Sequence, residues 1–250
     1  MKFRKLRREA KNFFLSGSIE RNEDILDILN IDDEMSPGNP VNITIDSIPD
    51  YQLGAKRNKF SHNVLWLKTV NETFEKDYFF VLRKKFTLFN AKLGIVAKAT
   101  GYKVATDYMF DEVLKKQVVY FFDGEDGETG QSEYELAVAI PLDLINRHRE
   151  IFLLTRLEVS KKYRKEGVAT LLMERILEDN PQIILKPCPL TESEVESKDS
   201  GDEDIQTEDI KCFYKAVVEK NKNYNLKTFR SDFDDCEYML IADSFMVKNE

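Results

Sequence analysis

The sequence predicts an α/β (α+β) protein built on one mixed, mostly antiparallel central sheet flanked by helices. Two observations lead there. Between Val41 and Ile140, segments rich in β-branched and aromatic residues follow one another with weak helical signal. From Ile151 onward, apolar runs alternate with amphipathic ones in the order strand, helix, strand, helix, strand, strand. Such alternation is the mark of a layered domain whose sheet contains at least one helical crossover.

The elements follow in order. "MKFRKLRREAKNFFL" spaces Phe3, Leu6, Ala10 and Phe13 as on a helix, with six basic residues at other positions. It reads as a surface helix docked on the protein, or as a contact for nucleic acid or an anionic membrane face. Ser18 to Leu29 forms a second helix with Ile25, Leu26 and Leu29 as its stripe, and "DEMSPGNP" breaks the chain. Residues 1–35 are therefore taken as a basic helical segment, and 36–250 as one domain.

"VNITIDSI", "NVLWLKTV", "KDYFFVLRKKFTLF", "KLGIVAKAT", "KQVVYFF" and "YELAVAI" then read as strands, with "DGEDGETG" a loop before the last. A short helix is expected over Pro141 to Arg149 and a fully buried strand at "IFLLTRLEV". Val168 to Glu178 is helical, with Val168, Leu171, Leu172, Ile176 and Leu177 on one face and Asn180–Pro181 ending it. "QIILK" is a buried strand, "DIKCFYKAVVEKN" a helix with Ile210, Phe213, Val217 and Val218 as its apolar face, and "LKTFR" and "EYMLIA" two closing strands.

Composition narrows the classes of function. No apolar run approaches the roughly 20 residues of a membrane span. The start lacks an apolar signal-peptide centre, so a cytoplasmic protein is expected. Three cysteines, widely spaced, and two histidines outside any HExxH spacing point away from disulfides and bound metal. The net charge of -8 is concentrated in residues 191–209, where nine carboxylates face one lysine. That insert is expected to be solvated and disordered, or to attract a cationic partner. No basic stripe or aromatic RNP-like pattern supports nucleic-acid binding beyond residues 2–11.

The chemistry concentrates in "RLEVSKKYRKEGVATLLMERI", Arg156 to Ile176. A strand enters, four cations (Lys161, Lys162, Arg164, Lys165) precede Gly167, and a helix begins. The first helical turn has N–H groups without internal partners, glycine admits a bulky anion, and the helix dipole and cations add positive potential. A pyrophosphate suits such a turn, although neither GxxxxGK[ST] nor GxGxxG is present.

Leu157-x-Val159 followed by Tyr163-Arg164-x-x-Gly167-x-Ala169 resembles motif A, (Q/R)xxGx(G/A), of the GNAT (Gcn5-related N-acetyltransferase) superfamily. The resemblance covers Ile151 to about Ala242. It implies the acyl-CoA N-acyltransferase fold and acetyl-CoA as acyl donor. Backbone N–H groups of Arg164, Lys165, Glu166, Gly167, Val168 and Ala169 would cradle the pyrophosphate, and main-chain groups of Leu157 and Val159 would pair with the pantetheine arm.

Further roles follow from the same likeness. An amine would attack the thioester directly, with the oxyanion met by the N–H of Val159. Tyr214 in "KCFYKAV" is the candidate proton donor to the leaving thiolate, or a packed core aromatic beside Phe213. Glu158, facing away from Leu157 and Val159, is the candidate base acting through water, or a surface charge paired with Lys161. The sequence departs from the family's pattern at Glu166, where a small or basic residue is usual, and after Tyr214, where "YxxxGF" is absent.

The implied function is an acetyl-CoA-dependent N-acetyltransferase acting on a small-molecule or protein amine, which the acidic insert suggests is cationic. The alternative is an inactive protein of the same fold, serving as an interaction or CoA-sensing module.

Overall fold

The computed structural model describes residues 41–48, 65–74, 78–90, 94–123, 131–146, 149–188 and 207–244. The two N-terminal helices expected before residue 35 and the break at 33–40 lie outside these residues, as does the insert from 191 to 206. The strands are β1 (Val41–Ile48), β2 (Leu65–Thr73), β3 (Val81–Asn90), β4 (Gly94–Ala105), β5 (Glu150–Val159), β6 (Gln182–Leu185), β7 (Tyr224–Arg230) and β8 (Glu237–Asp243). The helices are α1 (Glu112–Asp123), α2 (Gln131–Val138), α3 (Val168–Asp179) and α4 (Thr207–Lys220).

All the strands join one eight-stranded sheet in the order β1-β2-β3-β4-β5-β6-β8-β7. Every neighbouring pair is antiparallel except β5 and β6, which run parallel because α3 carries the chain back across the sheet. The sheet is thus mixed and mostly antiparallel, and from β5 to β8 the observed elements follow the order that the GNAT resemblance implies.

Each face of the sheet is covered by a helix pair. Val168, Leu171, Leu172 and Ile176 of α3 and Tyr214, Val217 and Val218 of α4 pack on Phe86, Leu88, Ala99, Phe152 and Leu154. On the other face Val118 and Phe122 of α1 and Leu136 and Ala137 of α2 pack on Tyr102, Val104, Ile151 and Leu153. Burying side chains of this size contributes about 1.5–3 kcal/mol each relative to exposure.

The second helix pair corrects the composition-based expectation. "KQVVYFF" and the start of "YELAVAI" lie in α1 and α2, not in strands. The reason is local: the Asp111 carboxylate caps α1 by accepting from the N–H groups of Val113 (2.9 Å) and Leu114 (3.0 Å). Beyond that cap, Leu114, Val118, Phe121 and Phe122 follow helical spacing. β propensity reports fit to a pleated surface and gives way when a cap and a 3.6-residue period agree.

Three smaller differences matter. Pro141 to Asn146 forms turns, with the Leu144 and Ile145 N–H groups both donating to the Pro141 carbonyl, where a short helix was expected. Strand β3 starts at Val81, and Tyr78 to Phe80 precede it as a turn. Thr207, Glu208 and Asp209, assigned by composition to the acidic insert, form the first turn of α4, where acidic side chains favour the helix dipole.

A candidate acyl-CoA slot and turn

Strand β5 has two unlike halves. Ile151 to Leu154 are buried and bonded on both sides, to β4 and, through Phe152 to Leu154, to Ile183 to Leu185 of β6. Thr155 to Val159 are half-buried and pair only with β4 among the described residues. Strand β6 ends at Leu185, and the sequence explains why. Pro187 and Pro189 stand two apart, and a proline offers no N–H to a ladder. The two parallel strands therefore part beyond Leu154 and Leu185, and the edge of β5 left without a paired strand among the described residues is a candidate slot.

A register shift between Thr100 and Gly101 of β4 makes Thr155 the extra residue of a bulge, and its hydroxyl donates to the Thr100 carbonyl (3.1 Å). The bulge changes which side chains face where. Before it Phe152 and Leu154 look toward α3 and α4; after it Leu157 and Val159 do so. Gly101 permits the close approach: a Cβ there would collide with the Leu153 carbonyl and the Phe152 ring.

The hydrogen-bond register decides which backbone groups the slot sees. The Ser160 N–H donates to the Val96 carbonyl (3.0 Å), which makes Val96–Ser160 a bonded pair. The next antiparallel pair, Ala97–Val159, is then non-bonded, and so by alternation is Ala99–Leu157. The N–H and C=O of Leu157 and Val159 thus point away from β4, into the slot. They are the two residues that the sequence likeness nominates for the pantetheine arm.

At the end of β5 the chain turns sharply. Tyr163, 4 % exposed, anchors the turn in the core beneath α3, and the Lys162 ammonium lies 4.8 Å from the centre of its ring. Lys165 (φ +62°) and Gly167 (φ +79°, ψ +4°) are both left-handed. For the lysine this conformation costs on the order of 1–3 kcal/mol, and strain of that kind gathers at ligand sites. Gly167 caps α3 with no side-chain hydrogen bond at the cap. The first intrahelical bond runs from the Leu171 N–H to the Gly167 carbonyl (3.0 Å), so the N–H groups of Val168, Ala169 and Thr170 precede it and aim at the turn.

Arg164 behaves differently from its neighbours in the motif. Its backbone N–H donates to the Lys161 carbonyl (3.2 Å), and its guanidinium Nε donates to the Val159 carbonyl (3.2 Å). The side chain therefore braces the junction of slot and turn. Glu166 is half-buried, while Lys165 and Gly167 are exposed.

Tyr214 lies on the α3–α4 face with Leu157 and Val159, and its ring packs against Phe213 at 4.9 Å. Burial pushes its hydroxyl well above the ordinary tyrosine range, with a smaller contribution from Cys188. Among the described residues that hydroxyl has no hydrogen-bond partner. Glu158 is on the opposite face, where its carboxylate pairs with Arg156 (3.1 Å). The structure thus brings Leu157, Val159, Tyr214 and the 164–169 turn to one side and leaves Glu158 on the other. Sequence reasoning missed Thr155, because the bulge has no mark in the sequence.

Comparison with solved structures finds N-acetyltransferases. Polyamine N-acetyltransferase from Drosophila melanogaster matches at 13% identity and TM-score 0.37, over 63% of this chain and 72% of that one. Arabidopsis thaliana NAA60, solved with a bisubstrate analogue, matches at 8% identity and TM-score 0.30, over 64% and 73%. Arylalkylamine N-acetyltransferase 2 from Aedes aegypti matches at 13% identity and TM-score 0.34, over 63% and 71%. No family model and no curated protein sequence matches the chain.

Proposed function

We propose that this chain is an acetyl-CoA-dependent N-acetyltransferase. One observation carries the reading: the open edge of β5 leads directly into the glycine-headed turn before α3. An extended arm lying in that slot has main-chain groups to pair with along its length and unpartnered helical N–H groups at one end. Acetyl-CoA has that shape, with an amide-bearing arm ending in a pyrophosphate.

The resident chemistry follows from the direction of the arm. With the pyrophosphate at Val168 to Thr170, the slot-facing amides come in the order Val159, then Leu157. The thioester end is the far one, so the N–H of Leu157, not that of Val159, is the oxyanion donor in this reading. Attack by a neutral amine forms the C–N bond, and collapse expels the CoA thiolate. Tyr214 supplies a proton to that thiolate; its raised pKa keeps the hydroxyl protonated across the working pH range. The acceptor is a small-molecule or protein amine, and the protein works in the cytoplasm. Among the described residues no helix is long and apolar enough to cross a membrane.

A second reading, an inactive module that binds CoA, is favoured by one contact. The Arg156–Glu158 pair occupies the carboxylate nominated as base. Calorimetric titration of acetyl-CoA into the wild type and Gly167→Asp tests the binding step. The expected result is binding by the wild type and none by a variant whose far-UV spectrum is unchanged. A folded wild type that binds neither acetyl-CoA nor CoA overturns both readings. Binding without turnover across an amine panel selects the second.

A further inference from the structure

The Val159 carbonyl is one of the backbone groups turned into the slot, and it already has a donor. The Arg164 Nε–H reaches it at 3.2 Å, a charge-assisted bond. The arginine is held for that contact. Its own N–H donates to the Lys161 carbonyl (3.2 Å), and its backbone is extended (φ −64°, ψ 152°). Buried Tyr163 and left-handed Lys165 fix the chain on either side. The Lys162 ammonium takes another course and lies 4.8 Å from the centre of the Tyr163 ring.

From the turn inward, the slot-facing groups come in the order Val159 C=O, Val159 N–H, Leu157 C=O, Leu157 N–H. A strand edge repeats every two residues, so an extended arm can dock in two registers about 7 Å apart. In the outer register the thioester carbonyl meets the Val159 N–H, and the arm's last amide N–H needs the Val159 carbonyl. In the inner register the thioester meets the Leu157 N–H, and that amide takes the Leu157 carbonyl. The guanidinium stands in the arm's place in the outer register alone.

We propose that Arg164 is a positioning residue for the acyl arm: by occupying the Val159 carbonyl it excludes the outer register and delivers the thioester to the Leu157 N–H. This rests on the acyl-CoA reading above. The role belongs to the Nε–H and not to the charge. A lysine keeps the cation, but its donors sit at the tip of a flexible stem, whereas Nε–H is part of a rigid planar fork. Arginine and lysine therefore serve a phosphate alike as cations, and differ where one backbone carbonyl must be held.

The test binds acetyl-CoA carrying a ¹³C-labelled acetyl methyl to the full chain, wild type, Arg164→Lys and Arg164→Ala. It reads affinity by calorimetry, methyl-to-amide NOEs, and amide exchange at saturation. In the wild type the methyl is expected near the Leu157 N–H. Arg164→Lys should keep an affinity close to that of the wild type and full protection at Val168 to Thr170. Its methyl NOE should spread to the Val159 N–H, and protection of the Leu157 N–H should fall by about tenfold, the equivalent of one hydrogen bond. Arg164→Ala should show the same redistribution. Arg164→Gln, measured in the same way, replaces either variant if its far-UV spectrum shows it unfolded. A wild type that places the methyl at the Val159 N–H overturns the inference. So do variants that lose affinity yet keep the NOE and the protection at Leu157, which would make Arg164 a phosphate cation; both results leave the acyl-CoA reading intact. A wild type that does not bind acetyl-CoA overturns both.

Discussion

Tyr214 and Tyr238 are both buried, on opposite faces of the same sheet, and burial pushes both hydroxyls above the ordinary tyrosine range. Their surroundings differ completely. The Tyr238 hydroxyl donates to the Asp234 carboxylate (2.7 Å), which also accepts from the Cys236 N–H (3.1 Å) and the Lys186 ammonium (3.2 Å). Lys186 reaches the Glu135 carboxylate as well (2.7 Å), tying β6, α2 and the turn before β8 together. Tyr214 has Phe213 against its ring, and its hydroxyl makes no hydrogen bond among the described residues. A hydroxyl tied into such a network belongs to the scaffold, whereas one outside any network is available to a ligand.

The comparison predicts opposite responses to the same change. On the proposed mechanism Tyr214→Phe removes the proton donor and is expected to lower kcat for acetyl transfer by about 10²–10⁴-fold. It leaves stability unchanged or slightly raised, because the hydroxyl makes no hydrogen bond among the described residues that the change would break. Steady-state rates beside urea unfolding separate the two effects; a loss of stability without a loss of rate would make Tyr214 a packing residue. Tyr238→Phe is expected to reverse the pattern, costing about 1–3 kcal/mol of stability through the lost bond to a charged acceptor. An effect on rate larger than its effect on unfolding would end the contrast.

The smallest effect concerns pH. Burial raises the Asp234 carboxyl, but the hydrogen bonds from Tyr238, Cys236 and Lys186 outweigh it and hold it at about 2. A depressed folded value contributes stability that is complete above the ordinary carboxyl range, near pH 4, and is lost as pH falls through about 2. Asp234→Asn should therefore flatten the dependence of Tm on pH between those limits. The tyrosines act at the other extreme. Their raised values contribute stability that is complete below about pH 10 and lost as pH rises further. An unchanged acid limb in Asp234→Asn would show that the network contributes nothing.

The halves of the chain differ in how much their residues disclose. From Ile151 onward, periodicity and punctuation agree: "NP" stops α3, Val217 and Val218 of the expected face of α4 are buried while Ile210 and Phe213 are only partly so and Tyr214 joins them, and the closing strands appear near their expected positions. Between Asp111 and Val138 they conflict, and the β-branched and aromatic content of "KQVVYFF" conceals a helix that the Asp111 cap announces. The turn at 164–169 is legible because its glycine and cations are local. The slot is half legible: the prolines at 187 and 189 forecast the early end of β6, while the Thr155 bulge depends on pairing with a strand some fifty residues earlier. Arg156 and Glu158 stand two apart on the strand and so share a face, which is where their pairing comes from.

Amide hydrogen exchange with and without saturating acetyl-CoA tests the central claim most directly. The account predicts slowed exchange at Leu157 and Val159 and at Val168 to Thr170, with little change at Ile151 to Leu154, which are already bonded on both sides. Binding accompanied by protection elsewhere, with the 155–159 edge exchanging as before, would contradict it.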